Sequence, residues 1–165
     1  MPGVVDGRLA ALGIALPPPP TPIASFLPFR VAGGLVYLAG QTCERDGQIV
    51  HAGRVGVELD EQTGRLAARI CALNLLGALK AACGGDLDAV ARCVAVRGFV
   101  QAPHGFPRVP QIVDGASELF VSIWGEEGRH ARTSVGVSTL PQNAAVEVDA
   151  IFELAANRPE LARVP

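Results

Sequence analysis

In two segments of the last third, residues 132–138 and 145–154, side chains of two kinds alternate at every second position. Thr133, Val135 and Val137 alternate with Arg132, Ser134, Gly136 and Ser138. After Leu140-Pro141, Val146, Val148, Ala150 and Phe152 alternate with Glu147, Asp149, Ile151 and Glu153. A period of two belongs to a β-strand, whose successive side chains point to opposite faces. Strands are therefore expected at about 132–138 and 145–154, and their valine faces need a covering layer. The chain supplies one. Leu66, Ile70, Leu73, Gly77 and Lys80 follow helical spacing, with further apolar residues at 72, 75, 76 and 79. This predicts a largely buried helix over about 61–83, stopped by Gly84-Gly85. Ile112, Ala116, Leu119, Phe120 and Ile123 predict a second helix ending before Gly125.

Residues 93–100 form an almost continuous apolar run, the pattern of a central strand. Residues 26–31 and 35–39 predict two strands turned by Gly33-Gly34, with Gly40-Gln41 ending the second. Residues 43–56 read as loop with a short strand at Ile49-Val50, and 103–110 as loop. At the start, residues 4–12 predict a weak amphipathic helix closed by Gly13, and Pro17 to Pro20 force an extended polyproline stretch. Residues 1–20 are thus an N-terminal arm and polyproline spacer, and residues 21–157 one domain, with fraying expected after Asn157. The order β-β-(β)-α-β-α-β-β implies an α+β fold, a mixed β-sheet with two helices on one face.

Composition narrows the function classes. With 49% hydrophobic and 18% charged residues in 165, the chain can bury a sizeable core. Its mean hydropathy of +0.32 is high for a soluble monomer, so apolar surface covered by another subunit is expected. The net charge is −2 and no basic run exists, which argues against nucleic acid as a partner. Lys80 is the only lysine, so Schiff-base chemistry has one side-chain candidate, and it falls mid-helix. Cys43, Cys71, Cys83 and Cys93 lack Cys-x-x-Cys spacing and read as reduced, buried residues, consistent with a cytoplasmic protein. His51, His104 and His130 are scattered without metal-ligand spacing. The apolar stretch from Leu9 to Leu16 is too short to span a membrane, and no signal-peptide pattern precedes it.

Alternation places Arg132, Ser134, Glu147 and Asp149 opposite the valines, on a face without helices of its own. An arginine there offers a planar fork for a substrate carboxylate. A nearby glutamate can hold or deprotonate a water. On spacing alone, an ordinary salt bridge between cation and carboxylate is the more economical reading. His130 precedes the strand and either lines the cleft or caps the loop. Arg129 is the rival anchor but falls before the strand, in a solvent-exposed position. Gly115-Ala116-Ser117, near a helix start, offers backbone N–H groups to an anion or simply packs tightly.

Several segments together resemble one family. Gly128 with Ala131-Arg132, Val135 and Val137, then Leu140-Pro141 and Val146-Glu147-Val148, is similar to the C-terminal signature of the RidA (YjgF) family, also labelled endoribonuclease L-PSP. Residues 34–41, ending in Gly40-Gln41, resemble its early strand. Ala72-Leu73-Asn74-Leu75-Leu76 with Leu79-Lys80 resembles its first helix. Gly98-Phe99-Val100, Phe106, residues 114–120 and 128–132 resemble the longer branch of that family. The similarity covers about residues 20–155.

The resemblance implies a chorismate-mutase-like α+β fold and a homotrimer whose sheets form a central barrel with clefts at subunit interfaces. It implies an enamine/imine deaminase that needs no cofactor and no metal. Arg132 would bind the carboxylate of a 2-imino acid and Glu147 would place the attacking water, releasing ammonia and a 2-oxo acid. Ser134, Phe26, Gly40 and Gly115 would line the substrate site. Against the best-known deaminases, Phe26 stands where they carry Tyr, Ala39 where they carry Ser, Ser134 where they carry Cys, and their Asn falls near Gly115. Phe26 and Ala39 favour a second reading, a trimeric protein that binds a small carboxylate-bearing metabolite without turnover. The endoribonuclease reading meets the acidic charge balance described above. No membrane partner is expected.

Overall fold

The computed structural model describes residues 3–22 and 24–156. Its main sheet has five strands in the order β1-β2-β7-β5-β6, and a separate two-stranded hairpin is β3-β4. The strands are β1 Phe29–Ala32, β2 Leu35–Thr42, β3 Glu44–Arg45, β4 Gln48–Ile49, β5 Val90–Gln101, β6 Ala131–Val137 and β7 Val146–Leu154; the helices are α1 Val4–Ala11, α2 Glu61–Ala82 and α3 Val109–Trp124. All neighbours pair antiparallel except β5 and β6, which run parallel. The predicted mixed sheet and two-helix layer are present. Four expectations shifted: β1 starts at Phe29 rather than residue 26, β2 continues to Thr42, residues 43–56 hold a hairpin, and β5 starts at Val90 rather than residue 93. The expected fraying after Asn157 lies outside the described residues.

Local chemistry accounts for the element ends. Asp60 caps α2, its carboxylate accepting the Thr63 N–H at 2.7 Å. Gly84 and Gly85 end it at φ +63° and +95°, where any Cβ would be strained. Gly33 and Gly34 both have positive φ, as a two-residue hairpin turn requires. Pro110 sits in the first turn of α3, where a missing N–H costs nothing.

The core lies between the helices and one face of the sheet. Leu75, Leu76 and Leu79 of α2, Leu119, Phe120 and Ile123 of α3, and Val146, Val148 and Phe152 of β7 are fully buried. Phe120 and Phe152 meet edge to face, with ring centroids 5.3 Å apart. Gly115 sits where α3 crosses α2: a Cβ there would overlap the backbone carbonyl of Arg65.

The register corrects one expectation about faces. Val96, Gly98 and Val100 of β5 face the helices beside Ala150, Val148 and Val146. Across the parallel ladder those β5 residues are paired with Arg132, Ser134 and Gly136. Arg132 and Ser134 therefore lie on the helix side of the sheet, not opposite it. Thr133, Val135 and Val137 take the open side, with Arg97, Phe99, Glu147, Asp149, Ile151 and Tyr37. Alternation assigns residues to a common face but not to a particular side. On β6, an edge strand, the apolar set faces outward: Val135 is 39% exposed, and Tyr37 across the sheet is 44% exposed.

The N-terminal arm packs on the outer side of the helices. Asp88 accepts the Val4 and Val5 N–H groups at 2.8 Å each and so caps α1, while Val5 and Leu9 are buried. Arg8 donates to the Ile123 carbonyl at 2.6 Å.

Candidate functional site

Arg132 enters at the free edge of the sheet, at the second position of β6, and leans toward α3. Its Nη1 donates to Asp114 Oδ1 at 2.6 Å and to Ser117 Oγ at 3.2 Å. Both acceptors lie on α3, three residues apart and hence on one face of the helix. Nη1 has two hydrogens and both are used. Among the described residues Nε and Nη2 have no hydrogen-bond partner, which leaves the side-on edge of the guanidinium for a planar, bidentate anion. The side chain is 25% exposed and Asp114 36%. Asp114 also lies 3.7 Å from Arg65, which pairs with Glu118 at 2.7 Å.

Glu147 sits on the other side of the sheet, two strands away. Its pair on β5 is Phe99, whose β6 partner is Val135, three residues beyond Arg132. Strand spacing and rise put the Arg132 and Glu147 backbones roughly 14 Å apart. The plain salt bridge between them is not formed: Arg132 pairs with Asp114, and Asp149 with Arg97 at 2.9 Å. Among the described residues the Glu147 carboxylate has no hydrogen-bond partner. Burial, and then the neighbouring Asp149, raise its pKa above the ordinary carboxylate value. It sits against Gly40, where β2 bulges between Leu38 and Gln41. A Cβ at Gly40 would overlap the carboxylate, so glycine here makes room for it. Phe26 lies in the turn before β1, 53% exposed. The Ala39 N–H to Pro28 carbonyl bond, 2.9 Å, ties that segment to the same bulge.

The expected site residues thus divide into two clusters. Gly40 and Glu147, with Phe26 nearby in chain, belong to the β1–β2–β7 side. Arg132 belongs to the β6–α3 side. Gly115 is a helix-packing residue, and with α3 starting at Val109, the N–H groups of residues 115–117 lie inside the helix rather than at its start. Ser134 shares the Arg132 face, but its Oγ is buried without a hydrogen-bond partner. An orphaned buried hydroxyl costs about 1–3 kcal/mol. Ser134→Ala should therefore melt no lower than the parent chain in a thermal denaturation; a fall of several degrees would mean the hydroxyl is satisfied. Arg129 is 71% exposed, as its place before the strand suggested.

Asp114 and Ser117 are the functional neighbours that sequence reasoning missed. Their signal was the three-residue spacing on a predicted helix, but nothing in it tied that face to Arg132. His130 closes the loop, the second of the two readings considered for it, and also reaches α3. Its Nδ1 meets the Gly128 carbonyl at 2.8 Å, closing the loop, and its Nε2 meets Ser117 Oγ at 2.9 Å. Burial is the main cause of its lowered pKa.

A hollow of about 540 Å³ lies elsewhere, between the arm and α2, lined by Leu9, Ile14, Leu16, Gly77 and Lys80. Lys80 is paired there with Asp6 at 2.8 Å, so it is far from both clusters and engaged. Among the described residues no group of three or more His, Cys, Asp or Glu could hold a metal ion. No described helix is long and apolar enough to cross a membrane.

Comparison with known proteins agrees with this geometry. Residues 6–154 match the family described as "YjgF/chorismate mutase-like, putative endoribonuclease". Protein TCP17 of Trypanosoma cruzi is 41% identical over 156 residues, 92% of this chain and 97% of that protein. The crystal structure of Atu1372 from Agrobacterium tumefaciens, a protein of unknown function, superposes with a TM-score of 0.86 at 41% identity, covering 92% of this chain and 93% of that one. A "putative endoribonuclease" from Shewanella oneidensis MR-1 superposes with a TM-score of 0.87 at 28% identity, covering 92% and 100%. With the sheet order, the two-helix layer and the match over 6–154 in agreement, the chain belongs to the YjgF/chorismate-mutase-like family, the RidA and L-PSP group.

Proposed function

We propose that the protein hydrolyses reactive 2-imino acids, tautomers of 2-enamines, to 2-oxo acids and ammonia, in clefts shared between copies of this chain. The observation that carries the reading is the state of the two key side chains. Arg132 is held by one amino group and offers the rest of its fork, while Glu147 is a carboxylate of raised pKa with no hydrogen-bond partner among the described residues. The first suits a substrate carboxylate and the second suits a general base.

The chemistry needs only these elements. The Arg132 fork fixes the substrate carboxylate and so orients the adjacent C=N bond. Glu147 takes a proton from water as the water oxygen bonds to the imine carbon. The proton passes to nitrogen and gives the carbinolamine; Glu147 then takes the hydroxyl proton and returns it to the same nitrogen as the C–N bond breaks, so the C=O forms and ammonia leaves. Within one chain the two groups lie on opposite faces, too far apart to hold one substrate. A cleft that joins the Arg132 edge of one copy to the Glu147 bulge of the next removes that obstacle, and three copies in a ring close such an arrangement. The apolar open face around Val135, Phe99, Ile151 and Tyr37 favours assembly, since contiguous exposed apolar surface marks an interaction site.

The test is ammonia release from 2-iminopropanoate generated in situ by an amino-acid oxidase. The parent chain should accelerate it and Arg132→Ala should not. Equal rates with and without protein would remove the enzymatic reading. The second reading, carboxylate binding without turnover, is favoured by Phe26, which offers no hydroxyl, and would then be judged by 2-oxobutanoate binding. RNA cleavage, which the family description names, fits poorly with a net charge of −2 and an open-face arginine already paired to Asp149.

A further inference from the structure

We propose that Ser117 and His130 are positioning residues: they hold the Arg132 guanidinium from behind so that its Nε–Nη2 edge faces the ligand, which favours planar carboxylates over other small anions. The inference rests on the reading of Arg132 as the carboxylate anchor and names two residues that act through it.

The direction of each proton in this relay follows from the groups present. The Gly128 carbonyl only accepts, so His130 Nδ1, 2.8 Å away, carries a hydrogen. Burial disfavours the charged ring, and Arg132 adds to that, so the neutral tautomer leaves Nε2 as an acceptor. Ser117 then donates its hydroxyl hydrogen to Nε2 at 2.9 Å. Its lone pairs are left for Arg132 Nη1, at 3.2 Å. Asp114 takes the other Nη1 hydrogen at 2.6 Å. The guanidinium is a rigid plane, so two acceptors on one amino group set its orientation as well as its position. Phe120, edge-on to the His130 ring with centroids 6.1 Å apart, limits the imidazole's freedom to turn. Asp114 alone would supply charge but leave the plane free to pivot about a single contact. The serine contact removes the pivot, and the histidine keeps the serine lone pair pointed at the arginine.

The experiment compares the parent chain with Ser117→Ala, Ser117→Thr, His130→Phe and Arg132→Ala. Two quantities are read: 2-oxobutanoate affinity by NMR titration, and the Arg132 Nε–H resonance without ligand, identified by its loss in Arg132→Ala. Ser117→Ala and His130→Phe should each weaken binding about tenfold, the order expected for a hydrogen bond to a charged group. Both should shift or broaden the Arg132 resonance, with Ser117→Thr restoring affinity and resonance. Parent-like affinity and an unmoved resonance in Ser117→Ala, with binding still lost in Arg132→Ala, would overturn the positioning role and leave the anchor in place. Parent-like binding by Arg132→Ala would instead remove the anchor reading and this inference with it. A Ser117→Ala chain that loses binding only together with its thermal transition, unrescued by threonine, would also count against positioning.

Discussion

Arg132→Ala protein and Glu147→Gln protein, each inactive alone, should recover imine hydrolysis when the two are co-expressed or refolded together. The reason is geometric. In one chain Arg132 faces α3 while Glu147 faces the open side of the sheet, two strands away. The proposed shared cleft would take its arginine from one copy and its glutamate from the neighbour. The first variant still supplies Glu147 and the second still supplies Arg132. In randomly mixed rings of three, about a quarter of the clefts pair an intact arginine with an intact glutamate. Activity near a quarter of the parent value, measured as ammonia release, is therefore expected. Separately folded and then briefly mixed proteins serve as the control and should stay inactive until subunits exchange. No recovery in verified mixed oligomers of the two inactive variants would mean that both residues act in the same chain.

The second large effect is on stability, with a sign opposite to the effect on activity. Glu147 has its pKa raised by burial and then by Asp149. A carboxyl whose folded-state pKa is raised binds its proton more tightly in the folded state than in the unfolded chain. Its favourable contribution is complete below the ordinary value of 4.5 and is lost as pH rises through the raised one. Above that range the group therefore opposes folding. Glu147→Gln keeps the shape and removes the charge, so it should melt higher than the parent chain at pH 7 while losing hydrolysis. The gap should close on acidification to well below pH 4.5, where both states of the parent are protonated. Equal melting temperatures across this range would show that the carboxylate is not strained by its surroundings. Raised stability with lost activity is the pattern of a group kept for chemistry.

Much of the fold was legible from periodicity and punctuation. The helix over 61–83 and the one ending before Gly125 were readable because a 3.6-residue apolar stripe and a glycine stop are both local signals. The hairpin at Gly33-Gly34 was readable because only positive φ permits that turn. Less was legible where pairing decides structure. The bulge at Ala39-Gly40, which extends β2 and seats the Glu147 carboxylate, depends on what β7 places opposite it. The start of β1 at Phe29 depends on where β2 stops offering partners.

The candidate site divides along the same line. The two residues proposed to carry the chemistry, Arg132 and Glu147, were readable from the alternating C-terminal segments and from their resemblance to the RidA pattern. Their sides were not. Alternation fixes that Arg132, Ser134 and Gly136 stand together, yet only the parallel ladder with β5 turns that set toward the helices and away from Glu147. The same ladder sets Arg132 beside Asp114 and Ser117, 18 and 15 residues before it along the chain, and beside His130 in the loop that precedes the strand. Covalent order alone therefore named the groups, because residue identity and local period are properties of the chain. Hydrogen-bond register between strands distant in sequence decided which groups meet, because a strand can present either face to its covering layer until a partner strand chooses.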